Sequence, residues 1–383
     1  MLTFGVVVCL PLVAAYATAL ARNAGVTQTD FGLFLYGLRS QQTGGSFYDL
    51  TVASQWGYPF DRDLLDLAPP HLHLLVWPLV SLPDRVAYGV WITANAGAFI
   101  ASLAVISREL GIRWRDVTVV WFVNAVLLST LATVSTLVYG QYVWLLMLPA
   151  TLGWRAWRRD RLVAACAWLG VVASSKPYPW LLLIYPVWRG HWRAVAAMAG
   201  VSAGLGAAGA VVFGPGTYVD WVRAVGAVDE LSMFGNVSIW GLVTRVTGPS
   251  HVFQPLPLPS AGVRLAGWLA CVGVGAWSVW QLRRATPDRA WLGLWCAAWL
   301  VSPLAWMYYI WWALPAALAL GRHEHWLAGP GPYLAVLALA VLPLWPNLWG
   351  LPWLATLVTG NLGALVVACL WWRAFRPSAA PGA

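Results

Sequence analysis

Residues 194–213 read AVAAMAGVSAGLGAAGAVVF, twenty in a row without a charge. As a helix such a run rises about 30 Å, the thickness of a bilayer's hydrocarbon core. Similar runs recur along all 383 residues, of which 60% are hydrophobic and 10% charged, with a mean hydropathy of +0.67. A soluble domain carries roughly 25% charged residues, so this chain is too poor in charge to cover a water-facing surface. A soluble enzyme, a disordered chain and a secreted disulfide scaffold are excluded. Backbone groups in lipid need internal partners, and these runs are too long and too uniform for barrel strands, so they are helices. The fold class is all-α, a polytopic integral membrane helical bundle forming one domain over residues 1–383. The cysteines Cys9, Cys166, Cys271, Cys296 and Cys369 lie in apolar stretches with no disulfide or metal spacing.

The arginines orient the bundle. Arg108, Arg113 and Arg115 form one cluster, Arg155, Arg158, Arg159 and Arg161 a second, Arg189 and Arg193 a third, Arg283, Arg284 and Arg289 a fourth. Arg322 stands alone, and Arg373 and Arg376 close the chain. Basic loops stay in the cytoplasm, and the sequence between clusters suits an even number of crossings. About twelve spans (10–13) fit: 4–21, 84–107, 117–136, 138–154, 162–175, 177–188, 194–213, 263–282, 290–302, 304–320, 332–346 and 351–372. The inner loops then hold 15 arginines against 5 acidic residues, and the outer segments 8 basic against 9 acidic. Both termini fall in the cytoplasm. Residues 1–21 contain no basic residue and make a poor signal peptide. In a membrane protein the net charge of +9 reports topology, so nucleic acid is not an expected partner.

Two long segments, 22–83 and 214–262, fall outside, which points to a catalytic or binding surface at the outer leaflet. In the first, Thr27 and Asp30 stand at capping-box spacing, and Phe31, Phe34, Leu35 and Leu38 follow at helical spacing. This predicts a short helix lying in the membrane interface, apolar face down. Asp30, in its first turn, either complements the helix dipole or serves chemistry. Asp61, Asp63 and Asp66 match no calcium loop and read as a solvated acidic loop. His71 and His73 form a His-x-His pair with no third ligand in view, so no metal is expected. The apolar segment 71–83 is too short to span and reads as re-entrant or interfacial.

Further motifs follow in order: Gly45-x-x-Tyr48, Pro69-Pro70 with Pro78 and Leu82-Pro83, Trp91 with Asn95, and Gly140-Gln141. Then come Lys176-Pro177-Tyr178-Pro179 ending in Trp188-Arg189, Asn236-x-Ser238 with Arg245, and Ser302-Pro303-Leu304-Ala305-Trp306. In order, spacing and expected side of the membrane, these pieces resemble the polyprenol-phosphate-mannose-dependent alpha-mannosyltransferases of the C-type glycosyltransferase superfamily. The resemblance runs through most of the chain. It implies a C-type glycosyltransferase fold with the active site built by the outer loops. It also implies transfer of a hexose, here mannose, from a polyprenyl-phosphate-sugar donor to a glycan or glycolipid acceptor, with inversion. Asp30 is the implied general base. Lys176 and Arg245 are candidate partners for the lipid phosphate, although Lys176 is equally a snorkelling anchor and Arg245 a loop-positioning group. Asn236 and Gln141 are candidate substrate contacts, with helix-to-helix bonding the plainer role for Gln141. His71 joins them. Where relatives often carry one or two histidines after the late motif, Met307-Tyr308-Tyr309 stands here, so Tyr308 and Tyr309 are candidate substrate contacts in their place.

The lipid-linked sugar is a co-substrate, and no cofactor is expected. Most of the 29 tryptophans should be interface belt and packing, Trp311-Trp312 and Trp371-Trp372 among them. Trp56, Trp240 and Trp306 are candidates for stacking on sugar. The rival from another class is a transporter or flippase of lipid-linked sugars, which would place ionisable residues in mid-span. The spans assigned here have almost none. A non-enzymatic envelope scaffold would not need Asp30, Lys176 and Arg245 to converge. The expected setting is a bacterial inner membrane. Single cysteines placed at 155–161 and 283–289 should label only from the cytoplasmic side, and cysteines in 22–83 only from outside. Labelling of 155–161 from outside would overturn the layout.

Overall fold

The computed structural model describes residues 29–48, 52–53, 63–64, 66–112, 133, 136–137, 139–228, 231–233, 235–248, 256, 258–323 and 361–376. The expected spans 4–21 and 332–346, most of 117–136 and the start of 351–372 lie outside these residues, as do Cys9, Thr27, Asp49, Trp56 and Asp61. The described chain is almost wholly helical. Helix α1 (Thr29–Gln42) precedes a two-residue antiparallel pair, β1 (Val52–Ala53) and β2 (Asp63–Leu64), in the register Val52 to Leu64 and Ala53 to Asp63. Two 3-10 helices, Pro70–Leu75 and Trp77–Leu79, lead into α2 (Asp84–Leu110). There follow α3 (Val143–Arg158), α4 (Leu162–Ser175), the 3-10 helix Tyr178–Leu183, α5 (Ile184–Trp188), α6 (Trp192–Phe213) and α7 (Gly216–Gly226). The chain continues through α8 (Ile239–Thr247), α9 (Ser260–Gln281), α10 (Pro287–Val301), the 3-10 helix Met307–Ala313, α11 (Leu314–His323) and α12 (Leu362–Phe375).

Among the described residues, α2, α6 and α9 are long and apolar enough to cross a membrane. The most apolar windows of α6 and α9 are only 11% buried within the protein. Val211, Leu265, Trp268, Leu269 and Val272 point outward, a surface that suits lipid and not water. Helix α10 is the opposite case, buried from Asp288 to Leu300. Its Trp291, Trp295 and Trp299 meet edge-on and tilted along one stripe at four-residue spacing. Helices α4 and α6 touch backbone to backbone at Gly170, where a Cβ would meet the Met198 carbonyl at 2.7 Å. Ser202 Oγ donates to the Gly170 carbonyl at 2.8 Å, a small-residue contact of the kind that holds helices together in lipid.

Two expected spans start differently from a continuous α-helix. In 177–188 the prolines Pro179 and Pro186 break the ladder, giving a 3-10 helix and one short α-helix. In 304–320 the first seven helical residues wind as a 3-10 helix, which sets residues i and i+3 over each other; Tyr309 and Trp312 lie 4.4 Å apart, centroid to centroid. Trp311 and Trp312 are buried packing residues. Trp371 bonds Ser278, while Trp372 is exposed.

The helices run between two unlike ends. At one end Glu109 of α2 receives Arg155 and Arg158 of α3 and Arg159 just past its end, and Arg158 also pairs with Asp288 of α10. Arg189 pairs with Asp160, Arg322 donates to the Leu110 carbonyl, and Arg289 donates to those of Ala374 and Arg376. Arginines of the second, third and fourth clusters therefore gather at this end, around Glu109, the neighbour of Arg108 in the first. Helix α3 starts at the other end, about 24 Å away for its 16 residues.

Helix α1 departs from the interfacial expectation. Phe31, Phe34, Leu35 and Leu38 are buried inside the protein, against Tyr88, Trp91, Tyr142 and His73. Enough aromatic surface converges from α2, the start of α3 and the first 3-10 helix to cover that face. The acidic loop is also corrected at Asp66. Its side chain is fully buried, accepting from the Ala68 amide at 2.8 Å and from His73 Nε2 at 2.8 Å. Phe47 stacks on the His73 ring at 4.2 Å, and Tyr48 donates to the Ala68 carbonyl. This buried pair fastens the outer loop under α1. Asp84 holds the far end of α1 from the surface, bonded by Tyr36 and, at 2.8 Å, by Arg39.

Removing Asp66 strands the buried His73 ring. A buried unsatisfied polar group costs about 1–3 kcal/mol, whereas an exposed ion pair is worth about 0–1 kcal/mol. Asp66→Ala should therefore lower the melting temperature in detergent clearly more than Asp84→Ala. Equal losses would show that the buried pair fastens nothing.

Candidate active site

The turn ahead of α3 builds the site. Gly140 holds φ +73°, and a Cβ there would meet Phe31 Cβ at 2.5 Å, so only glycine lets α1 come this close. The Tyr139 carbonyl accepts from the Asp30 and Phe31 amides, both at 3.1 Å. These amides open α1 and have no partner within the helix. The Gly140 carbonyl accepts from the Trp91 indole at 2.7 Å. Asn95, one turn along α2, accepts from the Leu145 amide that opens α3. Gln141 then donates from Nε2 to Asp30 Oδ2 at 2.7 Å. This bond runs from the turn before α3 to the first turn of α1. Asp30 is half-buried.

A second group forms around Lys176. Pro177 forces Lys176 into extended backbone, φ −142° and ψ 134°, and this ends α4. The half-buried Lys176 ammonium sits 5.7 Å from the Tyr309 ring centroid, a cation–π contact. No ion pair joins it to a carboxylate among the described residues. Tyr308, Tyr309 and Tyr178 meet ring to ring. Tyr142, next to Gln141, is near enough to act electrostatically on the Tyr178 and Tyr309 phenols. The Trp312 indole ties the 3-10 helix Met307–Ala313 to the Val143 carbonyl at 3.1 Å.

The third group joins two motifs more than sixty residues apart in sequence. Asn236 Oδ1 accepts from the Ser238 and Ala305 amides, and Nδ2 donates to the Leu231 and Pro303 carbonyls. Met307 N donates to the Gly235 carbonyl, chaining this loop to the tyrosines. Asn236 is fully buried with every side-chain atom in use, so its amide shapes the loop and has nothing left to offer a substrate. Arg245 is also fully buried. Its Nη1 donates to the Met233 carbonyl at 2.7 Å and its Nε to Asn361 Oδ1 at 3.0 Å, while Nη2 has no partner among the described residues. Burial pushes the guanidinium down to about 9, which leaves it charged at neutral pH.

His71 faces Tyr218 of α7. It shares a 3.1 Å hydrogen bond with the Tyr218 hydroxyl and packs where a Gly209 Cβ would be. Trp306 stacks on Tyr308, and Trp240 meets Trp268 edge-on. The residues that sequence reasoning missed are Tyr142 and Tyr178. Each directly follows or nearly follows a named candidate, Gln141 and Lys176, and that adjacency was the available signal.

A carboxylate held by an amide, and a lysine packed on a cluster of phenols, are polar groups set into an otherwise apolar helical bundle. Residues 67–303 match the model of Glycosyltransferase family 87, and the chain belongs to that family of glycosyltransferases. The match takes in Gln141, Lys176, Asn236 and Arg245 and ends at Pro303, so Asp30, Tyr308 and Tyr309 lie beyond it. No curated protein matches the chain.

His71 gives a pH test on the outer loop. Burial, with His73 as the second cause, lowers its pKa from 6.5 to about 4, opposed by the Ser174 backbone. Between those values the unfolded chain binds the proton and the folded chain does not. Its stability contribution is therefore whole above pH 6.5 and is lost as pH falls toward 4. The melting temperature in detergent should drop across that window, and His71→Phe, which keeps a ring over Tyr218, should flatten the drop. An unaltered slope would assign it to another group.

Proposed function

We propose that this glycosyltransferase moves a hexose, mannose, from a polyprenyl-phosphate donor to a glycan or glycolipid acceptor at the outer leaflet of a bacterial cell membrane. The chain crosses about twelve times with both termini in the cytoplasm. The acceptor hydroxyl attacks the anomeric carbon as the bond from that carbon to the phosphate oxygen breaks, and the configuration inverts. Asp30 takes the hydroxyl proton, and prenyl phosphate leaves. A base needs to stand within ~3 Å of the proton it takes and to keep its orientation, and Gln141 supplies the orientation. Lys176 meets the charge of the leaving phosphate, with Arg245 Nη2 as the second donor. The lipid-linked sugar is a co-substrate, and in this scheme the side chains alone meet the charge.

The observation that carries this reading is the setting of Asp30. It is half-buried, bonded by Gln141, and placed at the end of the bundle opposite the arginine clusters. Asn keeps the size of Asp but takes no proton at neutral pH. A positioned base contributes typically ~10²–10⁴-fold, so Asp30→Asn should lose at least two orders of magnitude in turnover of labelled prenyl-phosphate mannose in lipid, with donor binding kept. A variant retaining a third of normal turnover would make Asp30 structural. Lys176→Ala should weaken donor use about tenfold or more, since a hydrogen bond to a charged group is worth about 1.5–3 kcal/mol. Unchanged donor kinetics would leave Lys176 as an anchor.

A further inference from the structure

One face of α2 holds the stretch of chain that leads into α3. Tyr88, Trp91 and Asn95 stand at i, i+3 and i+7, so they share one side of the helix, at the end opposite Glu109. Tyr88 Oη donates to the Leu137 carbonyl. Trp91 Nε1 donates to the Gly140 carbonyl at 2.7 Å. Asn95 Oδ1 accepts from the Leu145 amide at 3.3 Å, and its Nδ2 donates to the Trp91 carbonyl at 3.1 Å. Tyr142 opens α3 without a side-chain cap. Asn95 therefore does from another helix what a capping side chain does locally. Trp91 and Asn95 are both buried.

Trp91 also touches what the turn holds. Its ring lies 5.6 Å from that of Phe31 and 6.4 Å from that of Phe34, and Phe31 directly follows Asp30. Asp30 is held twice from this turn: its amide by the Tyr139 carbonyl and its Oδ2 by Gln141. Between those two residues stands Gly140 at φ +73°. Glycine takes up that conformation readily but is also the residue freest to leave it. The indole bond to the Gly140 carbonyl removes that freedom. A tryptophan kept only for packing would need its rings and not its N–H.

We propose that Trp91 is a positioning residue for Asp30. Its indole N–H fixes the Gly140 carbonyl, and the turn so held carries the Tyr139 carbonyl and the Gln141 amide to the start of α1. This rests on the reading of Asp30 as the general base and deepens it. Misplacing a reacting group by ~1 Å can cost about 10²-fold in rate. The effect of losing the N–H should fall on turnover and not on donor binding, since Lys176 and Arg245 sit on other elements.

The test uses the full chain in lipid nanodiscs. Trp91→Phe keeps an aromatic ring against Phe31 and removes the N–H. A benzothienyl analogue of tryptophan at position 91 keeps the bicyclic shape as well, and serves if the phenylalanine variant does not fold. Trp154→Phe is the comparator, since it loses a buried indole bond of 2.8 Å to Asp288 at the arginine end. The first readout is hydrogen–deuterium exchange over residues 29–36, which needs no substrate. Exchange there should speed up about tenfold once the N–H at position 91 is gone, as the turn opens locally, and stay at the parent rate in Trp154→Phe. Unchanged exchange in the position 91 variants would overturn the proposal, and so would equal acceleration in Trp154→Phe. The second readout is turnover of a short-chain prenyl-phosphate mannose with octyl mannoside as acceptor. Loss of the N–H should lower kcat about tenfold or more and leave KM for the donor unchanged, while Trp154→Phe keeps kcat. An unchanged kcat, or a raised donor KM alone, would overturn the positioning role. Combined with Gln141→Ala, Trp91→Phe should cost less than it does in the parent, because both act on one carboxylate through one turn; fully multiplicative losses would mean independent effects. If the parent is inactive on this donor, or Asp30→Asn keeps a third of its turnover, the donor or the base assignment falls, and the exchange result alone decides whether Trp91 holds α1.

Discussion

The turn at 139–141 gives its backbone oxygens and one side chain to other elements, and the arrangement of the site depends on that. The Tyr139 carbonyl takes the two amides that open α1, the Gly140 carbonyl takes the Trp91 indole, and Gln141 reaches the Asp30 carboxylate. The first amides of a helix need outside partners. Supplying them from a loop fixes where α1 begins, and Asp30 sits in that first turn. The same turn leads directly into α3, whose far end carries the arginines bound to Glu109. One helix thus sets the distance between the carboxylate and the charged end of the bundle.

Breaks in helical winding bring Lys176, Tyr178 and Tyr309 together. A backbone in lipid tolerates irregular stretches only where protein or a cavity surrounds them. The stretch after Ser175 and the stretch after Val301 both lose regular α-helix, and both are packed on buried α10 and on each other. Lys176, Tyr178 and Tyr309 sit on these stretches. The loop at 235–238 closes the same region by bonding Pro303, Ala305 and Met307. Proline and 3-10 winding, and not helix length, decide which side chains meet.

Several features were readable in the sequence for plain physical reasons. Long uncharged runs fix the helices, and those over 162–175 and 194–213 agree with the structure within two residues at either end. The arginine clusters foretold which helix ends belong together, because arginines of the second and third clusters share the few acids at that end and Arg289 of the fourth caps carbonyls there. The apolar spacing after Asp30 marked a helix correctly but mistook its cover: a pattern states that one face is buried and not what buries it. Asp66 misled for a related reason. Three acids in a short loop look solvated until a histidine seven residues on folds back over one of them. Asn236 and Arg245 were picked out as substrate contacts, yet the fold uses the Asn236 amide wholly for its own loop and takes two of the three Arg245 nitrogens.

Composition and periodicity alone determined that this chain is a helical membrane protein with Asp30 at the start of a short helix, since transfer free energy acts residue by residue and needs no knowledge of partners. The tertiary structure alone decided that Gln141 bonds Asp30, 111 residues away, that Tyr178 and Tyr309 meet ring to ring, and that His71 turns to Tyr218. Hydrogen bonds and ring contacts are short-ranged and directional, so they are set by which elements pack together. That packing is a property of the whole chain, and no local stretch carries it.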